Sequence, residues 1–488
     1  MIGRPARPVL DEDRPGKAAN IARQIEADVI RRGWPVGESL GSELALQQQY
    51  DVSRSVLREA VRLVEHHQVA RMRRGPGGGL IVTAPDAAPA TRAVIIYLEY
   101  LGITVDELLA ARVLLEPLAA ELAARQIDEA GIVLLRNTVG GDDFHVVLGE
   151  LTGNPVLALF IDVLMRLTAR FATAARPPES QVAAAMDRLA VDHAAIVEAV
   201  TAGDTAHASA LTEEHVEQVT RWLQRHHRPA PSRRTGPTLM ENAPGEKLAP
   251  KEKPAPKEKP APKEKLAEVL AAGIHDDIAA QGWRIGSLFG AETELLERYG
   301  VSRSVLREAV RILDYHSVAR MRRGPGGGLL ITTPAPQASI DTVALYLEYR
   351  KPGRADLALV RDAIELDNVA QVVLRRESPE VVAFLQAQCA ELVGDGRDPR
   401  AAGLAEFFFH TDLAQLAGNR VLNLFLGILV ELFRRHWGST MAPMPGGDDA
   451  AESHRAHARI VAAILDGDAS IARHRTRRHL EALSSWWG

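Results

Sequence analysis

Residues 52–62 read VSRSVLREAVR and residues 69–80 read VARMRRGPGGGL; both strings recur without a change at 301–311 and 318–329. The offset is 249 in each case, and it also relates Gly33-Trp34 to Gly282-Trp283, Arg112 to Arg361 and Glu116 to Glu365. Farther along it becomes 265 (His145 to His410, Asn154 to Asn419) and then 264 (His193 to His457, His215 to His479). The chain is therefore written twice, with the first copy 16 residues shorter between Glu116 and His145. Sixteen residues is about 24 Å of helix, so the first copy is expected to lack a helix there. A period this long marks a duplicated two-part unit and not a short-repeat solenoid.

Local patterning gives the first part of each copy. Ser53 and Ser302 are N-cap residues at the start of a helix. On it Val56, Leu57, Ala60, Val61 and Val64 form an apolar stripe, while Arg54, Arg58 and Arg62 line up on another face. Arg303, Arg307 and Arg311 repeat that row. A strand (VARMRR), a glycine-rich tip (GPGGG) and an apolar return strand follow, which reads as a two-stranded hairpin with a basic root. Six arginines against two acids in 52–75, and again in 301–324, make two equal basic patches. The whole chain carries 58 Lys+Arg against 63 Asp+Glu, a net charge of −5, so a uniformly basic coat is excluded and the patches call for a polyanionic partner.

Length and composition set the frame. At 488 residues, with 46% hydrophobic and 25% charged side chains, the chain has the balance of a soluble protein of about three domains. The single cysteine, Cys389, fits a reducing, cytoplasmic setting. The strongest apolar run, VLNLFLGILVELF, is short and holds a glutamate, so it reads as a buried helix, and neither a membrane span nor a secretory leader is expected.

VSRSVLREAVR followed by a basic, glycine-tipped hairpin resembles the winged helix-turn-helix of the GntR family of bacterial transcription regulators, and the remainder of each copy resembles its FadR-type branch. The fold expected is mainly α with small β wings: two copies of a winged helix-turn-helix followed by an all-α antiparallel helical bundle. The boundaries read 1–17 tail, 18–85 first winged helix, 86–228 first helical domain, 229–265 linker, 266–334 second winged helix and 335–488 second helical domain. The linker repeats PAPKEK, which favours an extended spacer reaching on the order of 100 Å. The resemblance implies that Arg54, Ser55, Arg58 and Arg62, with Arg73, Arg74 and Gly75 at the wing, contact double-stranded DNA in the first copy. Arg303, Ser304, Arg307, Arg311, Arg322, Arg323 and Gly324 are their counterparts. One departure stands out: where the family often has an arginine in the second helix, this chain has Leu44 and Thr293.

In the helical domains three histidines recur with matched gaps. His145 to His193 is 48 residues and His410 to His457 is 47, and the next interval is 22 in both copies. Glu406 lies four residues before His410, on the same helix face. Glu406, His410, His457 and His479 form a donor set for Zn²⁺ or a similar divalent cation. In the first copy His145, His193 and His215 remain, but position 141 is Gly, leaving Asp142 as the nearest candidate acid. The resemblance implies that a small carboxylate effector binds at the metal. Arg112 and Arg361 could clamp it; equally, each could form an i,i+4 surface pair with the glutamate four residues on.

These features describe a ligand-controlled transcription regulator, a repressor, and not an enzyme. A hydrolytic zinc is the competing chemistry, but HExxH, GxSxG and phosphate-loop motifs are all missing. A metal-sensing regulator or a scaffold with a decayed first effector domain is the remaining alternative. With two reading heads on one chain, the copies pair within a chain as a pseudo-dimer, or the chain dimerises and presents four heads.

Overall fold

The computed structural model describes residues 17–75, 77–141, 143–175, 179–226, 263–322, 324, 326–391, 399–440 and 447–486. Most of the proposed linker, with Arg323 and Asp142, lies outside the described residues. The chain divides into two compact units: residues 1–169, 179–220 and 335–488 form one, and 170–178 with 221–334 form the other.

In the first unit, α1 (Lys17–Arg31), α2 (Glu43–Gln49) and α3 (Arg54–His66) precede a hairpin of β1 (Ala70–Arg73) and β2 (Gly79–Val82). Ser53 caps α3 by accepting a hydrogen bond from the Val56 N–H. Leu57, Ala60, Val61 and Val64 are buried as the periodicity predicts, whereas Val56 is half-buried. They pack on Ile21, Ile25 and Val29 of α1 and Leu80 and Val82 of β2. The wing tip needs glycine: Gly75 has φ +100°, and a Cβ on Gly78 would lie 2.3 Å from the Arg73 carbonyl oxygen.

The first helical domain follows as α4 (Ala87–Leu101), α5 (Val105–Gln126), α6 (Glu129–Asn137), α7 (Phe144–Leu151), α8 (Pro155–Ala175), α9 (Glu179–Thr201) and α10 (Thr205–His226). The α4–α5 junction is built by Gly102 in the left-handed region and a capping box between Thr104 and Glu107.

The second unit holds the other winged helix: α11 (Lys263–Ala280), β3 (Leu288–Gly290), α12 (Glu292–Tyr299), α13 (Arg303–Tyr315), β4 (Ala319–Arg322) and β5 (Gly328–Ile331). Its α11 starts at Lys263, inside the segment assigned to the linker, because the prolines stop at Pro262 and helix formers follow. Its sheet has three strands in the order β3-β5-β4, not the two expected. In the first unit the same strand is reduced to one bridge, Ser39 to Ile81.

The second helical domain, in the first unit, runs α14 (Pro336–Arg350), α15 (Arg354–Leu374), α16 (Pro379–Glu391), α17 (Pro399–Ala417), α18 (Arg420–Thr440), α19 (Gly447–Leu465) and α20 (Ala469–Trp486). Both domains thus have seven helices among the described residues, and the expectation of a missing helix is corrected. The deficit shortens two helices: α6 has 9 residues against 13 in α16, and α7 has 8 against 19 in α17. The histidine-bearing end of α7 is kept, so the deletion removes length without removing His145.

Within this unit the helical domains touch reciprocally. Helix α4 packs along α14, and the rings of Phe160 and Phe425 stack with centroids 3.9 Å apart. Asn154 Nδ2 donates to the Asp356 carbonyl at 3.0 Å, and Asn419 Nδ2 donates to the Glu107 carbonyl at 2.9 Å. These are the same contact made twice with the copies exchanged, as in an isologous interface. Arg420 adds a one-sided ion pair to Glu107; Pro155 holds the corresponding place in the first copy. The first winged helix also rests on α14: Leu345 enters its core, Tyr349 meets the Trp34 ring at 5.5 Å, and Lys351 Nζ donates to the Gly33 carbonyl.

Candidate functional site

The histidines of each helical domain converge. His145 on α7, His193 on α9 and His215 on α10 are all buried. Nε2 of His215 lies 3.3 Å from Nε2 of His193 and 3.2 Å from Nε2 of His145. The other ring nitrogens face oxygens. His193 Nδ1 donates to the Val139 carbonyl at 2.9 Å, and His215 Nδ1 lies 3.3 Å from Asp192 Oδ2. His145 Nδ1 is 2.8 Å from Glu116 Oε2, close but not aligned as a hydrogen bond. A proton on Nδ1 leaves a lone pair on Nε2, so the cage points lone pairs at one another. A cation resolves that conflict. Nitrogens bound to zinc at 2.0–2.1 Å in tetrahedral geometry sit roughly 3.3 Å apart, which matches the separations here. Burial first, and then the charge on neighbouring His145, pull His193 down to about 4 and His215 down to about 2, keeping both neutral as ligands must be.

The second domain repeats the cage. His479 Nε2 on α20 is 3.3 Å from His410 Nε2 on α17 and 3.1 Å from His457 Nε2 on α19. Glu365 on α15 contacts His410 Nδ1 as Glu116 on α5 contacts His145. A phenylalanine stacks on the middle histidine in both: Phe144 on His193 at 4.0 Å and Phe409 on His457 at 3.8 Å. Both triads can hold a metal ion. The side chain of Glu406, like all of Asp142, lies outside the described residues.

Carboxylates behind the imidazoles are what sequence reasoning missed. Glu116 and Glu365 were visible only as partners of Arg112 and Arg361, four residues before each, and i,i+4 spacing does not say which other groups share the face. Arg112 and Glu116 are each 1% exposed, so the surface-pair reading is wrong: they form a buried, two-pronged ion pair, and Arg112 Nη1 also donates to Thr168 Oγ1 at 3.4 Å. Burial alone would raise the pKa of Glu116, but Arg112 and His145 outweigh it and hold the carboxyl well below the usual range. Arg361 is buried too but oriented differently. Its Nε and Nη2 donate to Asp362 Oδ1 at 3.0 and 2.8 Å, its guanidinium lies 5.3 Å from the Phe433 ring centre, and Glu365 is 3.9 Å away. Thr168 and Phe433 occupy equivalent positions, and that exchange accompanies the two orientations.

On the winged helices Arg54, Ser55, Arg58 and Arg62 are exposed on α3, and Arg303, Ser304, Arg307 and Arg311 on α13. In the first, Glu43 of α2 takes both leading arginines: Arg54 Nε donates to it at 3.1 Å and Arg58 Nε at 2.7 Å, which lowers the Glu43 pKa. Its counterpart Glu292 makes no ion pair with Arg303 or Arg307 among the described residues. Arg311 pairs with Glu308. Ser55 and Ser304 each lie about one hydrogen bond from the capping serine, at 3.0 and 2.9 Å. Arg73 and Arg322 donate across the wing tip to the Gly77 and Gly326 carbonyls, and Arg74, Gly75 and Gly324 are exposed beside them. Leu44, at the departure noted above, is 65% exposed on α2. No helix of the described residues is long and apolar enough to cross a membrane.

Comparison with known proteins finds matches at the first winged helix and at both helical domains. The family model for bacterial regulatory proteins of the gntR family matches residues 17–79, and that for the FCD domain matches twice, at 140–218 and 356–482. The chain is 27% identical over 155 residues to the Uxu operon regulator of Haemophilus influenzae, covering 28% of this chain and 55% of that protein, about half its length. It is 26% identical over 194 residues to the galactonate operon transcriptional repressor of Escherichia coli, covering 38% of this chain and 81% of that one. Among solved structures, Streptococcus agalactiae GntR is 21% identical with a TM-score of 0.30, spanning 42% of this chain and 99% of that one. With a gntR winged helix at its start and the FCD domain present twice, the chain belongs to the gntR family of bacterial regulatory proteins, a family of DNA-binding transcription regulators and not of enzymes.

Proposed function

We propose that the chain is a repressor controlled by a small carboxylate, with both halves of a regulator dimer carried on one polypeptide. The observation that carries this reading is the histidine cage, present twice and backed each time by a buried arginine and glutamate. His145, His193 and His215 hold one divalent cation, zinc by donor type, and His410, His457 and His479 hold another. Such an ion supplies a Lewis-acidic docking point for a carboxylate. Arg112 and Arg361 add a second positive contact, and Glu116 and Glu365 orient the ligand histidines. The galactonate named for one relative is a carboxylate of this type.

The reciprocal contacts of α4 with α14, Asn154 with Asp356 and Asn419 with Glu107 support pairing of the two copies within the chain. The domain boundaries expected from the repeat serve as the working division, with α11 beginning at Lys263. Arg54, Ser55, Arg58 and Arg62, with Arg303, Ser304, Arg307 and Arg311, read the major groove. The wings at Arg73, Arg74 and Gly75, and at Arg322, Arg323 and Gly324, lie along the backbone and minor groove. Identical reading residues in both heads imply an operator with two like half-sites. A carboxylate bound preferentially to one arrangement of the helical domains weakens DNA binding tenfold for ~1.4 kcal/mol of preference.

Fluorescence anisotropy of the zinc-loaded chain on duplexes from its own promoter tests this. Binding at fixed salt that falls at least tenfold on adding a short-chain carboxylate supports the proposal. Failure to bind duplex at low ionic strength, or binding that no carboxylate alters, contradicts it.

A further inference from the structure

The stripe of α15 that carries Arg361 and Glu365 continues to Asn368, at i, i+4 and i+7 on one helix face. Asn368 is 2% exposed, and neither its Nδ2 nor its Oδ1 has a hydrogen-bond partner. Buried polar atoms are nearly always paired, so an amide with both ends unmet is an exception that needs a cause. It lies about 4.5 Å along the helix axis from Glu365, the residue that contacts His410. The equivalent position in the first copy is Ala119, fully buried and without a polar atom.

Other groups on that wall differ in the same direction. In the first copy Arg112 is occupied by Glu116 and Thr168, and the Thr168 hydroxyl is itself committed to the Leu164 carbonyl at 2.8 Å. Arg112 and Thr168 are thus both engaged within the protein. In the second copy Phe433 replaces the threonine, Arg361 pairs with Asp362 and stands 3.9 Å from Glu365, and the Asn368 amide offers a donor and an acceptor side by side.

We propose that Asn368 is a specificity-determining residue of the second cage, and that this cage takes a hydroxylated carboxylic acid while the first does not discriminate for the hydroxyl. The inference rests on the reading that the cages bind carboxylates. The acid's carboxylate meets Arg361, and a hydroxyl accepts from Asn368 Nδ2–H while donating to Oδ1. A site built to pair with a hydroxyl rejects the deoxy analogue because its own polar atoms are then left unmatched.

The test is titration calorimetry on the full zinc-loaded chain with matched pairs of acids: lactate and propionate, malate and succinate, gluconate and hexanoate. The background variant His215→Ala isolates the second cage. The expected result is a tenfold or greater preference for the hydroxylated member of at least one pair. Asn368→Leu, of similar volume, abolishes the preference while the deoxy member binds as before. Asn368→Ala gives the same result with the residue that the first copy already accommodates at this place, and unchanged or raised thermal stability of either variant shows that the fold is kept. If hydroxylated and deoxy acids bind alike to the unmodified cage, or if the preference survives both substitutions, the inference is overturned and Asn368 is met by a buried water. If no acid of either kind binds, the carboxylate reading fails and this inference fails with it.

Discussion

The two histidine cages use the same three imidazoles and the same stacking phenylalanine, yet their outer walls have diverged. The first closes Arg112 onto Glu116 and Thr168. The second turns Arg361 toward Asp362 and Phe433 and sets an unpaired Asn368 farther along the same helix face. On the proposed function the difference separates two tasks that a single copy would merge: the imidazoles hold the ion, and the residues behind them decide what it meets. A duplicated chain can hold the first constant while the second drifts.

The largest test of that contrast is on stability. Arg112→Ala strips Glu116 of its main partner while leaving it buried, and should cost about 3–5 kcal/mol in denaturant unfolding. Arg361→Ala should cost distinctly less, because its main partner, Asp362, is partly exposed. Equal losses would show that the two walls are energetically alike.

Next comes pH. His193 and His215 titrate below an unfolded histidine's ordinary value of about 6.5, so in the metal-free chain the unfolded state takes up protons that the folded state refuses. Stability is therefore present above pH 6.5 and lost as pH falls toward 4, by up to about 2 kcal/mol per histidine at pH 5. Bound metal raises stability but keeps this slope, because liganded imidazoles take up no protons while the unfolded ones do. Thermal unfolding at pH 7 and pH 5, with and without chelator, measures it, and a metal-free chain equally stable at both would contradict the buried, neutral cage.

A smaller effect tests the glutamates. Glu116→Gln and Glu365→Gln should each weaken metal affinity at their own cage by about 10–100-fold in competition with a chromophoric chelator, leaving the other cage unchanged. The smallest concerns the heads, which differ as the cages do: Glu43 engages Arg54 and Arg58, while Glu292 leaves Arg303 and Arg307 open. Exposed pairs are worth under about 1 kcal/mol, so Glu43→Gln should tighten DNA binding only a few-fold, and Glu292→Gln less. A large gain from Glu43→Gln would mean that the clasp restrains the first head.

Much of this was legible in the letters. The apolar stripe of the third helix, the capping serines and the glycine tip depend on local spacing, and local spacing is what a sequence displays. His145, His193 and His215 were legible because the same intervals recur, although they are far apart in the chain. What stayed hidden depends on tertiary direction. Glu116 looks the same whether it faces solvent or an imidazole. The deletion upstream of His145 looked like a lost helix because a sequence gives the number of residues removed, not how two helices share the loss. The docking of Leu345 and Tyr349 on the first winged helix joins the copies crosswise, and no pattern within either copy announces it.

Metal content per chain is the most direct test of the central claim. Elemental analysis of the purified chain, dialysed against trace zinc, should give two ions per polypeptide, one in His215→Ala, one in His479→Ala and none in the double variant. An unmodified chain that holds no tightly bound ion, or variants that keep both, would contradict it.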